Sequence, residues 1–202
     1  MTSDSLRPLA SKFIEPVARA ASSTGLSPNT VSFLSLILAV IAGVFFYYSY
    51  ANPIYVLIAG LFVAFNSILD AMDGIMARYM QTDSLKGDFL DHVIDRYSDI
   101  VIICSIFLAG HIHWQIGLVA IIGVLLTSYL GTQAQALDIG RYYGGIMGRA
   151  DRLVLIIAGS LLYFAYPSLI YGFSLLGWVI MVIAVASHIT AIQRIYHIWK
   201  QL

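Results

Sequence analysis

Two short polar stretches interrupt an otherwise apolar chain and decide how it is organised. Residues 70–78 read DAMDGIMAR, and residues 87–95 read GDFLDHVID. Asp70 and Asp73 are three positions apart in the first stretch, and Asp91 and Asp95 are four apart in the second, spacings that place each pair on one face of an α-helix. Four carboxylates brought together cannot all stay ionised without a cation, and divalent metals prefer oxygen ligands. The spacing therefore predicts a metal site built from Asp70, Asp73, Asp91 and Asp95.

The composition around these stretches is that of a membrane protein. Of the 202 residues, 59% are hydrophobic and only 11% are charged, whereas soluble domains carry about 25% charged residues. The net charge is zero, and the single cysteine, Cys104, excludes an intrachain disulfide. We therefore expect an all-α integral membrane protein whose fold does not depend on an oxidising compartment.

The apolar segments predict one domain over residues 1–202. Apolar residues recur at helical spacing over 1–24, which indicates an amphipathic helix in the membrane interface. A six-helix transmembrane bundle is then expected over 28–199, since its apolar runs are long enough to span a bilayer. The expected spans are about 31–50, 54–78, 86–109, 115–137, 150–166 and 169–198.

The distribution of charge predicts the orientation. The turns at 51–53, 110–114 and 166–168 contain no lysine or arginine, and all eleven basic residues lie at the other end of the spans. By the positive-inside rule, both termini and the acidic stretches face the cytoplasm, in a multi-pass protein of the cytoplasmic membrane. The eleven acidic residues lie on the same side, although acids contribute little to topology, so a polar site at that face is indicated.

The residues alone leave several interpretations open. The acids could form a solvated loop between two spans, a metal site in an inactive scaffold, or part of a cation transporter. A transporter would need polar groups at mid-membrane and on both sides, whereas this chain concentrates its charge at one face. Gly74 and Gly87 suit close approach by a ligand or by another helix, and Arg78 suits either a phosphate or membrane anchoring.

The whole pattern is more specific than its parts. The spacing D-x2-D-G-x2-A-R-x8-G-x3-D-x3-D is filled at every fixed position across residues 70–95. This pattern resembles that of the CDP-alcohol phosphotransferases, and the six-span layout with an amphipathic first helix is also similar to that family. The resemblance covers essentially the whole chain.

The resemblance implies an enzyme of phospholipid biosynthesis. It would move a phosphate-linked lipid group from a CDP-lipid to the hydroxyl of an alcohol, with release of CMP. Two Mg²⁺ or Mn²⁺ ions would be held by Asp70, Asp73 and Asp91, with Asp95 touching a metal and acting as the catalytic base. The donor-binding residues implied are Asn29, Thr30, Ser32, Gly74, Ala77, Arg78, Ser84 and Gly87.

The acceptor is indicated by a second basic set, Arg149, Arg152 and Arg194. Three arginines near the cytoplasmic face suit a phosphorylated acceptor or, alternatively, membrane anchoring. Their surroundings resemble the phosphatidylinositol-phosphate and archaetidylinositol-phosphate synthase branch, which implies inositol phosphate as acceptor. That branch usually has a lysine and an arginine after Ser128-Tyr129, where this chain reads LGTQ, so Arg141 is a possible substitute. Glycerol phosphate or another polar alcohol stays an alternative.

Further expectations concern partners and neighbours of the acids. The resemblance implies contact with membrane lipid, a homodimer and no nucleic-acid partner. Asp99, one helical turn beyond Asp95, is expected to hold Arg96 or to support the site. His92 is expected to point away from Asp91 and Asp95.

Overall fold

The computed structural model is helical apart from one short hairpin, and it describes residues 7–82 and 84–202, with side chains from Ile14 onward. The elements in chain order are α1 (Arg7–Ser23), α2 (Pro28–Tyr47), α3 (Pro53–Met80), α4 (Leu85–Leu108), α5 (Trp114–Ala136), α6 (Arg149–Ala165), β1 (Leu169–Ile170), β2 (Phe173–Ser174) and α7 (Leu175–Trp199). The all-α prediction is confirmed.

Local sequence accounts for where the helices begin. The hydroxyl of Ser27 accepts a hydrogen bond from the Thr30 backbone N–H at 3.2 Å, and Pro28 occupies the first helical position of α2. Gly25 has a φ of +84°, which a side chain would disfavour, and it separates α1 from α2. Asn52 and Ser84 cap α3 and α4 in the same way.

Four helices of the described chain are long and apolar enough to cross a membrane, namely α2, α3, α5 and α7. The chain is therefore an integral membrane protein. The predicted start of the last span at residue 169 is wrong, since β1 and β2 form an antiparallel hairpin there and α7 begins only at Leu175. Tyr171 and Gly172 both have positive φ, 50° and 83°, and this two-residue turn excludes a continuous helix.

Helix packing brings the two acidic stretches together. Helix α2 packs against α3 and α4, α3 packs against α6, and α5 packs against both α4 and α7. Close approach of α3 and α6 depends on Gly60, where a Cβ atom would lie 2.7 Å from Ser160 Cβ. The core between the helices is aliphatic and aromatic, and its fully buried members include Phe46, Ile102, Ile103, Ile106, Ile156, Leu176, Ile180 and Ile183.

Helix α1 packs against α3 beside the first acidic stretch. Ala18 is buried with Met72 and Met76 of α3, and Ile14 and Ala21 lie at the edge of this contact. The predicted amphipathic helix over 1–24 is thus observed as a helix from Arg7. Its residues 1–6 and its side chains before Ile14 lie outside the described part.

Successive helices run in opposite directions, so alternate connections share an end of the bundle. The acidic stretches and the α5–α6 connection lie at one end, and the α2–α3, α4–α5 and α6–α7 connections lie at the other. Each connection at that other end contributes one residue to a polar cluster, here called the His111 cluster. Its members are Ser49, His111 and Ser174. His111 is 1% exposed and packs edge-on against Tyr50 and Tyr163.

Hydrogen bonding defines the tautomer of His111. The Ser49 hydroxyl donates to Phe46 O at 2.5 Å, so it can only accept from His111 Nε2, 2.7 Å away. In the neutral ring Nδ1 then carries no proton and accepts from the Ser174 hydroxyl at 2.9 Å, while the same hydroxyl oxygen accepts from Gly177 N–H. Both ring nitrogens are satisfied in the neutral form, with the proton on Nε2. Burial lowers the pKa of His111 to about 4.

Candidate active site at the acidic end

The four predicted aspartates, here called the acidic cluster, come together between α3 and α4, which both pack against α2. Asp73 is 6% exposed and lies near enough to Asp70 and Asp91 for electrostatic repulsion. Asp95 in turn lies near Asp70 and Asp91. The aspartate pairs that lie on one face of α3 and one face of α4 thus form a single group of four carboxylates.

The acidic cluster has unfilled coordination capacity. Asp70 Oδ1 is buried and accepts no hydrogen bond from any described residue, and Asp95 Oδ1 is buried beside Arg149 Nη1, 2.9 Å away, without an aligned hydrogen bond. One ligand atom each from Asp91, His92 and Asp95 lie within 4.8 Å of one another. Buried oxygens without hydrogen-bond donors need a cation, so the residues present fit an oxygen-ligated divalent metal.

His92 lies closer to this site than its position along the helix predicts. The expectation that it points away from Asp91 and Asp95 is wrong, because the long imidazole brings a ring nitrogen back toward the carboxylates. Neither ring nitrogen has a hydrogen-bond partner in the described chain, and Nε2 is 3.8 Å from Asp88 Oδ1. His92 therefore borders the acidic cluster.

Ser32 contacts a carboxylate of the acidic cluster. Its hydroxyl, 4% exposed on α2, donates to Asp73 Oδ2 at 2.5 Å. In the same region Asn66 Nδ2 donates to Ser35 O at 2.8 Å, which joins α3 to α2. The prediction of Ser32 as a donor-binding residue is not tested by this contact, but the contact orients Asp73.

Several predicted donor-binding residues gather at the rim of the acidic cluster. The Ser84 hydroxyl caps α4 by accepting from Gly87 N–H at 3.1 Å. Asn29 Oδ1 is 3.7 Å from the point where a Cβ on Gly87 would stand, so the start of α2 and the start of α4 adjoin. Thr30 bonds through its hydroxyl to Ser27 at 2.8 Å and is exposed.

The remaining donor-binding candidates lie on the last turns of α3. Arg78 is exposed, and its Nη1 is 3.7 Å from the point where a Cβ on Gly74 would stand. Ala77 is half-buried, and its carbonyl accepts from Thr82 N–H at 3.0 Å as the helix ends. Gly74 thus leaves open space between the acidic cluster and the Arg78 guanidinium.

Of the three predicted acceptor-binding arginines, Arg149 contacts the acidic cluster and Arg152 pairs with Asp99, one turn beyond Asp95 on α4. Arg149 Nη1 is 2.5 Å from Asp70 Oδ2 and 2.9 Å from Asp95 Oδ1. Arg152 Nη2 donates to Asp99 Oδ2 at 2.8 Å, and both of these side chains are 3% exposed. Asp99 also lies 3.8 Å from Arg96 Nη2, so the expected role of Asp99 extends from one arginine to several.

Arg194 holds backbone rather than a carboxylate. Its Nη1 donates to Thr127 O at 2.6 Å and its Nε donates to Gly144 O at 2.9 Å, which ties α7 to α5 and to the α5–α6 connection. A Cβ on Gly131 would lie 2.8 Å from Arg194 Nη1. Residues 130–133 read LGTQ and lack the two basic residues usual in that branch. Gly131 in this stretch leaves room for the Arg194 guanidinium.

Arg141, named as a possible substitute for the missing basic residues, lies at the mouth of the site. Its Nη1 donates to Asp88 Oδ1 at 3.1 Å, one turn before Asp91 on α4. Sequence reasoning missed this pair and the Ser32–Asp73 bond. The only available signal was polar side chains placed in otherwise apolar segments near the acids.

The sequence and the fold of this chain are both similar to those of known proteins. The profile of the CDP-alcohol phosphatidyltransferase family matches residues 26–190. Archaetidylinositol phosphate synthase of Pyrococcus horikoshii is 31% identical over 197 residues, which cover 98% of this chain and 96% of that protein.

Solved structures agree with the sequence relatives. Phosphatidylinositol phosphate synthase of Mycobacterium tuberculosis in complex with manganese and citrate has a TM-score of 0.76 and 26% sequence identity, covering 92% of this chain and 88% of that chain. The same enzyme with CDP-DAG bound has a TM-score of 0.75 and 26% identity, covering 93% and 94%.

The family match includes the acidic cluster and the donor-binding candidates at its rim. The predicted resemblance is confirmed. The predicted enzyme class follows from it. The chain belongs to the CDP-alcohol phosphatidyltransferase family and is an integral membrane transferase of phospholipid biosynthesis, acting on substituted phosphate groups.

Proposed function

We propose that the chain transfers the phosphate-linked lipid group of a CDP-lipid to inositol phosphate and releases CMP. The observation that carries this proposal is the juxtaposition of the acidic cluster with Arg149, an arginine that is 14% exposed. Relatives named archaetidylinositol and phosphatidylinositol phosphate synthases support inositol phosphate as the acceptor. A related structure with CDP-DAG supports a CDP-lipid as donor.

Asp70, Asp73 and Asp91 would hold two Mg²⁺ or Mn²⁺ ions, with Asp95 in contact with one of them. The buried, unpaired carboxylate oxygens support this assignment, as does manganese in the related structure. When bound, the ions would neutralise the diphosphate and the charge developing on the departing CMP.

Asp95 acts as the base in this mechanism. The acceptor hydroxyl oxygen forms a bond to the lipid-linked phosphorus, the bond from that phosphorus to the CMP oxygen breaks, and CMP leaves with that electron pair. Asp95 takes the hydroxyl proton. Its side chain is 14% exposed, so it is shielded from bulk water while still reachable by a bound hydroxyl. Its place on α4 would orient that hydroxyl for in-line attack.

The donor nucleotide would lie across the rim formed by the starts of α2 and α4 and the last turns of α3. Gly74 provides space for it beside Arg78, whose guanidinium suits a phosphate. The proximity of Asn29 to Gly87 supports closure of α2 over this nucleotide. The residues proposed for this role are Asn29, Thr30, Ser32, Gly74, Ala77, Arg78, Ser84 and Gly87.

Arg149, Arg152 and Arg194 would hold the phosphate of the acceptor. The Nε and Nη2 atoms of Arg149 and the Nε of Arg152 are buried without hydrogen-bond acceptors in the described chain. Unpaired guanidinium N–H groups suit a phosphate dianion, which supplies several acceptor oxygens. Arg194 is close enough to Arg152 for electrostatic repulsion, so an anion between them would relieve that repulsion.

We also propose the number of membrane spans and their orientation. We place α2 to α7 as six spans of one domain covering residues 1–202, with α1 in the interface and the acidic cluster and both termini at the cytoplasmic face. The 17 residues of α6 extend about 26 Å, close to the hydrocarbon thickness of about 30 Å. Helix α4 carries its charges in its first half, where the active site lies, and is apolar from Ile100 onward. We expect a homodimer in contact with membrane lipid, and no nucleic-acid partner.

The test is CMP release by the purified protein with Mg²⁺ or Mn²⁺ and a CDP-lipid, offered inositol phosphate, glycerol phosphate, inositol or serine in turn. We expect release with inositol phosphate alone. Release only with unphosphorylated alcohols would contradict the arginine pocket, and release with glycerol phosphate alone would select the other phosphorylated acceptor. Replacing Arg149 should raise the KM for the acceptor more than the KM for the donor.

A further inference from the structure

Arg149 forms ion pairs with two members of the acidic cluster, one on each of two helices. It begins α6, yet its Nη1 reaches Asp70 on α3 at 2.5 Å and Asp95 on α4 at 2.9 Å. The guanidinium therefore neutralises two of the four carboxylates, one from each acidic stretch. Arg96 Nη2 also lies 3.4 Å from Asp95 Oδ2, so arginines of the protein offset part of the charge of the four converging acids.

The contact also competes with metal binding. Asp70 Oδ2 accepts an N–H of Arg149 at 2.5 Å and Asp95 Oδ1 lies 2.9 Å from the same nitrogen, so the guanidinium occupies the side of both oxygens that a divalent cation shared by them would use. Two positive charges crowded onto the same oxygens would in addition repel each other. Arg149 must therefore withdraw its Nη1 before Asp70 Oδ2 and Asp95 Oδ1 can ligate a cation.

Asp99 provides a position to which Arg149 can withdraw. Asp99 Oδ1 is 3.7 Å from Arg149 Nε, on the side of the guanidinium away from Nη1. Asp99 lies one turn beyond Asp95 on α4 and is already held in place by Arg152 at 2.8 Å. It lies outside the spaced aspartate pattern of the acidic stretches, so its carboxylate is available to the arginines.

We propose that Arg149 is an internal counter-ion that occupies Asp70 and Asp95 until a metal binds there, and then turns its guanidinium to the acceptor phosphate while Asp99 retains it. The identity of that phosphate rests on the proposed function, whereas the competition rests only on the contacts described. Metal binding and phosphate binding are then coupled, and each must strengthen the other by the same factor.

Mn²⁺ titration of the purified protein, followed by electron paramagnetic resonance without any substrate, tests the competition. We expect Arg149→Gln to bind Mn²⁺ about 5- to 150-fold more tightly than wild type, the usual range for coupling between two sites. The matched control is Arg152→Gln, which removes the same charge one turn along α6 from a residue that pairs with Asp99. It should change the affinity less than Arg149→Gln does, because Arg152 pairs with Asp99 and has no described ion pair with Asp70 or Asp95.

A second titration keeps the proposal falsifiable if Arg152→Gln fails to fold. Inorganic phosphate should tighten Mn²⁺ binding by wild type and should do so less for Arg149→Gln, in which direct contact between phosphate and metal is still possible. Unchanged or weaker Mn²⁺ binding by Arg149→Gln would overturn the proposal, as would equal tightening by both variants. These titrations do not involve CMP release, so a wrong acceptor assignment leaves their outcome unaffected.

Discussion

The two ends of this helix bundle each bury a polar cluster, and they differ in how completely the polar atoms are paired. In the His111 cluster both ring nitrogens of His111 have serine partners, at 2.7 Å and 2.9 Å. In the acidic cluster Asp70 Oδ1 is buried without a hydrogen bond from the described residues, and Asp95 Oδ1 has only an ion pair with Arg149 at 2.9 Å. A fully paired buried cluster rigidifies a fold, whereas an incompletely paired one needs a ligand.

We expect the His111 cluster to stabilise the fold and the acidic cluster to serve the reaction. The His111 cluster joins three connections at one end of the bundle without net charge. The acidic cluster gathers charges that are costly in a membrane protein and are retained only for a function. Changes at the first end should therefore alter stability and leave turnover intact, and changes at the second should do the reverse.

The largest expected effect is on turnover at the acidic end. Asp95→Asn removes the proposed base, so CMP release should fall about 10²- to 10⁴-fold while CDP-lipid binding is kept. CMP release and donor binding would both be measured. Asp88→Asn is the matched control, since Asp88 is an exposed acid of the same helix that pairs with Arg141. Near-normal turnover by Asp95→Asn would show that the base is another residue.

The next largest effect is on stability at the opposite end and depends on pH. Burial lowers the pKa of His111 to about 4, below its ordinary value of 6.5. The unfolded chain therefore binds more protons between these values, so stability from neutral His111 is complete above pH 6.5 and is lost as the pH falls. The loss should reach about 3 kcal/mol near pH 4.

Thermal unfolding in detergent from pH 7.5 to pH 4.5 measures this loss, with His111→Gln as reference because both proteins share every other titrating group. The advantage of wild type in Tm should shrink as the pH falls. A difference in Tm that stays constant with pH would mean that His111 does not titrate in this way.

A smaller effect distinguishes metal orientation from donor contact at Ser32. Ser32→Ala removes the hydrogen bond to Asp73, and loss of such an outer contact should weaken Mn²⁺ binding about 10- to 100-fold. Ser35→Ala is the control, since Ser35 is equally buried on the same helix and donates to Ser32 O. Should Ser32→Ala raise only the KM for the donor and leave Mn²⁺ binding unchanged, Ser32 serves the nucleotide.

The smallest effects compare one helix cap from each end. Ser27→Ala and Asn52→Ala each remove a side-chain acceptor from a helix start, and each should lower the free energy of unfolding by about 1 kcal/mol. Only Ser27→Ala should also raise the KM for the CDP-lipid, because Thr30 loses its hydroxyl partner at the proposed nucleotide rim. Equal KM values for both variants would remove Thr30 from that rim.

Much of the fold followed from local sequence. Helix starts at Ser27, Asn52 and Ser84 depend on neighbouring residues and could be predicted or explained from them. The span boundaries agree closely with the observed helices except at residue 169, where the Tyr171–Gly172 turn supports a hairpin that hydropathy alone does not detect. Periodicity also placed each pair of aspartates on one face of its own helix.

The sequence by itself determined the family and the membrane location of this protein: the spaced pattern of α3 and α4 is that of the family, and the apolar runs are long enough to span a membrane. Only the tertiary structure decided their partners. Arg149 is 79 residues from Asp70, and His111 is more than 60 residues from each of its serines. Helical spacing relates residues three or four positions apart, whereas pairings across such distances depend on how the helices pack.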